Sequence, residues 1–288
     1  MAEISAKVVK DLRERTGAGM MDCKRALADA SGDLEKASVL LRERGLIKAS
    51  KREGRATSEG LIAIALAGNA GGMIEIGCET DFVARTDDFG SLAQSLARAV
   101  AKDAKLLDVG SLESATVDGV KVDERIKGAI AKLGENVVLK RVVRLSVPSG
   151  VVGGYVHAGG KLGVLVALRS ASAGPQLEAL AKDISMHVAA ADPSPVAVSR
   201  EGVSADLLAR EREIYRKQAL QEGKPEKVVD RIVEGKVAKF LSDVCLVDQA
   251  YVKDPDKTVG ELLKEAGGAT IDAFERFRLG QTEEASGA

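Results

Sequence analysis

One stretch decides the fold: Leu61-Ile62-Ala63-Ile64-Ala65-Leu66-Ala67-Gly68-Asn69-Ala70-Gly71-Gly72-Met73-Ile74-Glu75-Ile76-Gly77-Cys78. Residues 61–66 are apolar on both faces of a predicted strand, and residues 73–78 show the alternation of a second strand. The glycine-rich segment 68–72 between them predicts a hairpin loop. A helical repeat of apolar residues follows over residues 90–101. This part of the chain therefore predicts a strand, a glycine hairpin, a return strand and a helix.

The same order of elements occurs a second time. Residues 151–157 predict a strand, 158–161 a glycine-rich turn, 162–169 the return strand and 175–191 a helix. We interpret this repeated pattern as two related α+β subdomains with antiparallel sheets, packed side by side. Further predictions are a helix over residues 123–132, a strand over 137–147, and a last strand over 274–279 as a candidate to rejoin the second sheet.

The first 45 residues predict a small unit of three helices. Ile4, Val8 and Leu12 recur at helical spacing, and breaks at residues 16–19 and 31–33 separate the helices. Gly45 is predicted to end the third helix. We interpret the basic, polar segment that follows, residues 48–56, as a linker or an exposed helix end.

Two longer helices are predicted near the end of the chain, over residues 204–221 and 225–242, beyond the prolines of residues 191–195. The second helix has an apolar stripe, whereas the first is strongly charged. This composition fits a protruding antiparallel hairpin, although the residues alone also allow two ordinary globular helices. The remaining predictions are short strands at 244–247 and 250–252 and a short helix at 257–265.

These elements divide the chain into five parts. Residues 1–54 form the three-helix unit with its linker, and residues 55–147 form the first α+β subdomain. The second subdomain comprises residues 148–200 and 241–280, and the helical hairpin, residues 201–240, is inserted within it. Residues 281–288 are small and polar, and are expected to fray.

Composition excludes several classes of protein. The 288 residues carry a net charge of −1, so no basic field attracts nucleic acid. No run of eighteen apolar residues predicts a membrane span, and the first residues lack the layout of a secretion signal. Cys23, Cys78 and Cys245 are isolated and odd in number, which predicts reduced, buried thiols in a cytoplasmic protein.

Motifs for catalysis and cofactor binding are also missing from the sequence. The histidines, His157 and His187, leave little material for a zinc site or a catalytic triad, and no phosphate-binding loop or nucleophile elbow is present. We therefore predict no cofactor and no metal. Two alternatives stay open. Glu75 and Glu79 share one strand face and are a candidate acid–base pair, and the basic run 48–55 is a candidate contact for RNA.

The segment Thr80-Asp81-Phe82-Val83 follows the second strand directly and places an acid beside an aromatic residue on a short loop. Phenylalanine is scarce in this chain, which has five of them and no tryptophan. The residues alone allow a core plug or a side chain that faces a partner. They favour the plug, because large apolar side chains are mostly buried.

Two motifs resemble the signatures of one family. Leu12-Arg13-Glu14-Arg15-Thr16-Gly17-Ala18-Gly19-Met20-Met21-Asp22-Cys23-Lys24-Arg25-Ala26-Leu27 is similar to the N-terminal signature of bacterial elongation factor Ts, and Glu79-Thr80-Asp81-Phe82-Val83-Ala84-Arg85 is similar to its second signature. The resemblance implies a ubiquitin-associated-like three-helix module at the N-terminus. It also implies that the chain is a guanine-nucleotide exchange factor for the GTPase elongation factor Tu. Such an exchange factor needs no covalent catalysis.

The resemblance implies roles for individual residues as well. Thr80, Asp81, Phe82 and Val83 match a segment that enters the GTPase domain of elongation factor Tu near its bound magnesium, so Phe82 is expected to be exposed in the free protein. Further partner contacts are implied at the positions Lys24, Leu133, Gly134 and His157. The hairpin resembles a coiled-coil insertion that is linked to dimer formation in some family members. The chain has almost no room for the extra C-terminal helix of long members, so that contact is not carried over.

Overall fold

The computed structural model of the chain describes residues 4–52 and 54–281, with the backbone alone at residue 46 and residues 48–50. Its N-terminal part contains the three predicted helices, α1 (Ala6–Thr16), α2 (Met20–Asp29) and α3 (Leu34–Ser50). The hydroxyl of Ser5 caps α1, and Gly17, with φ of 68°, ends it. These helices enclose a small core of their own, formed by Val9, Leu12, Cys23, Ala26, Leu27, Ala30 and Ala37.

A first antiparallel sheet follows. Its part of the chain contains, in order, β1 (Glu59–Ala67), β2 (Ala70–Cys78), α4 (Asp81–Ala84), α5 (Asp87–Lys102), α6 (Val109–Ser114), β3 (Thr116–Val117), β4 (Val120–Lys121), α7 (Val122–Leu133) and β5 (Val137–Ser146). The strand order is β1-β2-β5, and β3 and β4 form a separate small hairpin. The predicted strands, the helix near residues 90–101 and the helix near 123–132 are confirmed. The sequence patterns do not predict α6, β3 or β4.

A second sheet completes the fold. Its part of the chain contains β6 (Gly150–Val156), β7 (Leu162–Arg169), α8 (Pro175–Ala190), α9 (Ala205–Gln221), α10 (Glu226–Val244), β8 (Ala250–Tyr251), β9 (Asp254–Thr258), α11 (Val259–Glu265) and β10 (Thr270–Arg278). The strand order is β10-β7-β6, so the last strand rejoins this sheet as predicted. Helices α9 and α10 pair through the apolar residues Ala219, Val229, Val233 and Val237.

The prediction that Gly45 ends the third helix is wrong, because α3 continues to Ser50. A Cβ atom at Gly45 would lie 2.9 Å from the Cβ atom of Ala131 on α7. The glycine therefore lets two helices approach closely and does not terminate one of them. An ion pair between Arg42 and Glu124 joins the same two helices.

The prediction that residues 68–72 form the hairpin loop is also wrong. Ala67 pairs with Ala70, so Gly68 and Asn69 alone make the turn, and Gly71 and Gly72 belong to β2. A Cβ atom at Gly72 would lie 2.5 Å from the backbone nitrogen of Ala101. Because that contact is with backbone, this glycine permits close packing of α5 on the sheet.

Residues 244–247 do not form the predicted strand. Helix α10 continues to Val244, and a 3₁₀ turn, Leu246–Asp248, follows it. Cys245 makes only an isolated bridge to Ala197. A short apolar run such as residues 244–247 is compatible with a buried strand or a buried helix end. Here it forms the end of α10 and the turn that follows. The polar strand β9 was not predicted, since its residues lack the usual alternation of apolar and polar side chains.

The two sheets pack face to face. Ile62 and Met73 of the first sheet meet Val152, Leu165 and Phe277 of the second in one apolar layer. Helix α5 covers the outer face of the first sheet, and α8 covers that of the second. The C-terminal ends of β2 and β6 lie at the same end of the two sheets, because Lys161, in the turn after β6, pairs with Glu59, which lies opposite Cys78.

A buried ion pair within the first sheet, between Glu75 of β2 and Arg141 of β5, faces this layer. The guanidinium of Arg141 donates to Oε2 of Glu75 from Nε at 2.8 Å and from Nη2 at 2.5 Å. The other carboxylate oxygen accepts the backbone N–H of Gly280 at 3.1 Å. The same guanidinium lies 4.1 Å from the ring centre of Phe277 and donates to the carbonyl of Arg278. Two strands of the first sheet are thus tied to the last residues of the second.

All three cysteines are buried and unpaired, as predicted. In the described part of the chain, no helix is long and apolar enough to cross a membrane.

A buried histidine lies where α8 meets the base of the helical hairpin. Nδ1 of His187 accepts the backbone N–H of Val252 at 3.2 Å, so Nε2 carries the proton and donates to Oε1 of Gln249 at 3.0 Å. The amide nitrogen of Gln249 donates to the carbonyls of Pro193 and Asp243. Burial lowers the pKa of His187 below its ordinary value of 6.5, although the bond to Gln249 opposes this shift.

Acidification is therefore expected to destabilise the protein through His187. Between its lowered folded pKa and 6.5, the unfolded chain binds the additional proton and the folded chain does not, so the free energy of unfolding falls as the pH falls. The contribution is at most about 1.4 kcal/mol per pH unit. Urea midpoints measured at pH 7, 6 and 5 should fall less steeply for His187→Gln than for the unchanged chain. His157→Gln, at the exposed histidine, is the matched control, and equal slopes for all three proteins would contradict the prediction.

Candidate functional site

Residues 80–83 do not form the loop that the sequence analysis predicted. Asp81–Ala84 is a single helical turn, α4, and the hydroxyl of Thr80 caps it by accepting the N–H of Val83 at 3.4 Å. Asp81 in this first turn is favourably placed toward the positive end of the helix dipole, and its carboxylate pairs with Arg85 at 3.0 Å. An isolated turn of this length is not stable by itself, so tertiary contacts hold it.

Phe82 faces away from the protein. Its side chain is 81% exposed, whereas Val83 is 9% exposed and packs in the core beneath α5. Consecutive helical residues point in directions about 100° apart, so the burial of Val83 turns Phe82 outward. The exposure predicted from the resemblance is confirmed, and Phe82 is not a core plug.

The turn is held by a carboxylate from a distant segment. Glu135, two residues after α7, accepts three hydrogen bonds from residues 79–80. Oε1 accepts the hydroxyl of Thr80 at 2.5 Å, and Oε2 accepts the backbone N–H groups of Thr80 at 2.9 Å and Glu79 at 3.1 Å. Hydrogen bonds to an ionised carboxylate are among the stronger ones in proteins.

The bonding between the two segments is reciprocal. Oε1 of Glu79 accepts the backbone N–H of Asn136 at 2.7 Å, and Oε2 lies 3.5 Å from Nη1 of Arg55. The side chain of Asn136 donates to the carbonyl of Arg55 at 2.9 Å. The thiol of Cys78 donates to the carbonyl of Thr80 at 3.1 Å. Burial, and then the nearby charge of Glu135, raise the pKa of Cys78 to about 11, so the thiol keeps its proton.

The same contacts bring the predicted positions Leu133 and Gly134 beside this turn. Gly134 ends α7 with φ of 85°, a left-handed conformation that glycine adopts without strain, and the chain then turns back toward Thr80. Leu133 is half-buried against the first core. The helix predicted over residues 123–132 ends directly before these two residues, and the structure confirms a helix end at this place.

His157 and Lys24 lie on other elements. His157 is exposed after β6, and its Nδ1 is 3.0 Å from the hydroxyl of Tyr155. The turn that follows His157 lies near the end of β2, because its residue Lys161 pairs with Glu59, which lies opposite Cys78. Lys24 is exposed on α2. The three-helix unit reaches the end of α7, where a Cβ atom at Gly17 would lie 2.9 Å from Cε of Lys132.

The alternative sites receive little support. Glu75 is bound by Arg141 and Gly280, and Glu79 by Asn136 and Arg55, so the two carboxylates serve different structural contacts. Within the basic run 48–55, Arg52 donates to the carbonyl of Ile130, so part of this run holds the chain to α7. Over residues 4–52 and 54–281, no three histidine, cysteine, aspartate or glutamate side chains cluster as a metal site would require.

Glu135 is the site residue that the sequence analysis missed. Its role depends on a contact that spans more than fifty residues, and its local surroundings, a glutamate after a helix-ending glycine, are common. Periodicity and motif spacing carry no information about such a contact.

Comparisons with known proteins cover the site and most of the chain. The model of the family described as elongation factor TS matches residues 79–281. The chain is also similar to proteins named elongation factor Ts. It is 45% identical to one from Clostridium botulinum, with 96% of this chain and 93% of that protein covered. It is 46% identical to proteins from Clostridium perfringens, with the same coverage, and from Desulfovibrio desulfuricans, with 97% and 99% covered.

Proposed function

The chain belongs to the elongation factor Ts family, and from this premise we propose that it is the guanine-nucleotide exchange factor of elongation factor Tu. It binds elongation factor Tu in its GDP form, promotes GDP release and allows GTP to bind in its place. It acts in the cytoplasm, without a cofactor and without forming or breaking a covalent bond. The matched family and the exposed turn at residues 80–83 support this proposal.

One observation carries the proposal: a large aromatic side chain is 81% exposed on a turn that is otherwise firmly held. Exposing an apolar ring to water gains nothing for the folding of the free chain. The backbone that carries this ring is already ordered before binding, which lowers the entropy cost of docking into a partner. Phe82 therefore has the properties of an anchor residue at a protein interface.

We propose that Phe82 acts as a wedge beside the magnesium and phosphate site of the GTPase. Magnesium requires near-ideal octahedral geometry, so a small displacement of the groups around it weakens nucleotide binding. Thr80 and Asp81 orient the turn at this contact, and Val83 anchors it to the body of the protein. Lys24, Leu133, Gly134 and His157 are proposed as further contacts to the same partner.

Exchange follows from thermodynamic linkage. If the chain weakens the binding of GDP to elongation factor Tu, GDP weakens the binding of the chain by the same factor. The chain stabilises a conformation of its partner that holds the nucleotide poorly, and incoming GTP then displaces the chain. No group of the chain needs to touch the nucleotide.

The decisive experiment measures the release of labelled GDP from purified elongation factor Tu. A catalytic amount of the chain is expected to accelerate release, and the two proteins should co-purify in the absence of nucleotide and separate when GDP is added. Unchanged release, together with no co-purification, would overturn the proposal. Titration with RNA at two salt concentrations serves as a comparison, because binding through phosphates weakens steeply with salt.

The division of the chain into five parts is also a proposal, supported by the separate apolar clusters of the three-helix unit, the two subdomains and the helical hairpin.

For the hairpin, residues 201–240, we propose homodimer formation. Sedimentation of the full chain and of a chain with the hairpin replaced by a short glycine–serine linker tests this. A monomer at micromolar concentration in both cases would contradict it.

A further inference from the structure

We propose that Glu135 is a positioning residue that holds Phe82 in its partner-facing orientation, an inference that rests on the proposed exchange function. Phe82 protrudes from a helix of only four residues, and a single turn does not keep its direction without outside contacts. Three hydrogen bonds fix the two residues directly before it, Glu79 and Thr80, and all of them converge on one carboxylate, that of Glu135.

The hydroxyl of Thr80 links the carboxylate to the helix. It donates its proton to Glu135 at 2.5 Å, so a lone pair of the same oxygen is directed at the N–H of Val83, 3.4 Å away. Without Glu135, this hydroxyl is free to rotate and the cap is no longer fixed. The direction of the helix start then changes, and the direction of Phe82 changes with it.

Two further hydrogen bonds show that Glu135 does more than accept one bond at the surface. It also accepts the backbone N–H groups of Glu79 and Thr80, which fixes the chain immediately before the helix. Glu79 returns a hydrogen bond to the backbone of Asn136, so the two segments are joined in both directions. Glu135 thereby couples residues 80–83 to the end of α7, where the proposed contacts Leu133 and Gly134 lie.

A double-mutant cycle on GDP release from elongation factor Tu tests this role. At saturating concentration, Glu135→Ala is expected to lower the rate of release by about tenfold, because the turn that carries Phe82 loses its three hydrogen bonds to this carboxylate and is held less firmly in the docking orientation. In a Phe82→Ala background, the same change is expected to cause little further loss, because Glu135 acts through Phe82. Glu135→Gln retains an acceptor oxygen and should lose less activity. Asp123→Ala removes a carboxylate from α7 that pairs with Lys127 one turn along the same helix, and should leave the rate unchanged.

Amide hydrogen exchange in the free chain provides a readout that is independent of the partner. Glu135→Ala is expected to speed exchange at Glu79, Thr80 and Val83 by a larger factor than the loss of global stability, measured by urea unfolding of the same variant, accounts for. If Glu135→Ala does not fold, Glu135→Gln and Thr80→Val replace it in both measurements. Fully additive effects with Phe82→Ala, or unchanged exchange at these amides, would overturn the proposal. If the unchanged chain does not accelerate GDP release, the exchange function fails, and amide exchange still decides whether Glu135 holds the turn.

Discussion

Phe82→Ala is expected to slow the release of GDP from elongation factor Tu by about thirtyfold or more relative to the unchanged chain, the factor that corresponds to the loss of an interface anchor worth about 2 kcal/mol. Because the side chain is almost fully exposed in the free protein, its removal costs no core packing. The stability of the chain should therefore stay within about 0.5 kcal/mol of its original value. A large functional effect without a stability effect is characteristic of a residue that acts in the complex.

The measurement is the rate of labelled GDP release at increasing concentrations of the chain, with urea unfolding of each variant in parallel. Leu107→Ala is the matched control, since Leu107 is also a large apolar residue with 58% exposure but follows the C-terminal end of α5, whereas α4 precedes the N-terminal end of that helix. Its rate should equal that of the unchanged chain. A Phe82→Ala variant that retains full exchange activity would remove the proposed wedge role.

Glu75→Ala is expected to destabilise the fold by about 3–5 kcal/mol, the usual cost of leaving one member of a buried ion pair without its partner. Glu75 is 1% exposed and Arg141 is 8% exposed, so water cannot replace the lost carboxylate. The backbone N–H of Gly280 would lose its acceptor as well. Urea unfolding followed by circular dichroism measures this change.

Glu59→Ala is the comparison for the buried pair. Glu59 lies on the neighbouring strand β1 and pairs with Lys161, whose side chain is 59% exposed. An exposed ion pair of this kind contributes about 1 kcal/mol or less. A similar urea midpoint for Glu75→Ala and Glu59→Ala would show that the buried pair is screened and does not hold the two sheets together. The enzyme alternative requires the carboxylate of Glu75 for turnover, so an activity assay of the folded Glu75→Ala variant also tests that alternative.

Much of the fold could be predicted because local signals agreed with the final structure. The strand pairs β1–β2 and β6–β7 have clear apolar runs and glycine turns, and Gly134 and Pro175 mark helix ends that the structure retains. Two of the errors arose where a glycine served a tertiary contact. In the sequence, Gly45 predicts a helix end and Gly72 predicts part of a loop, but both allow a helix to approach another element closely.

The candidate site likewise contains features that could be predicted from the sequence and features that could not. Phe82 could be identified from its motif, and the position of Val83 beside it shows why it points outward. The helical conformation of residues 81–84 could not be predicted, since four residues carry no measurable periodicity. Glu135 could not be found either, because its contact with Thr80 depends on how α7 and β2 are placed in three dimensions.

The buried pair of Glu75 and Arg141 has a consequence for how the protein is made. A ribosome releases a chain from its N-terminus onward, so both members of the pair emerge long before Gly280, which donates the last hydrogen bond to Glu75 across 205 positions. Until then, one oxygen of a carboxylate destined for the interior lacks its partner. The carboxylate of Glu75 therefore obtains its full set of partners only after Gly280 has emerged, and the nascent chain passes through a long interval in which this link between the two sheets is incomplete.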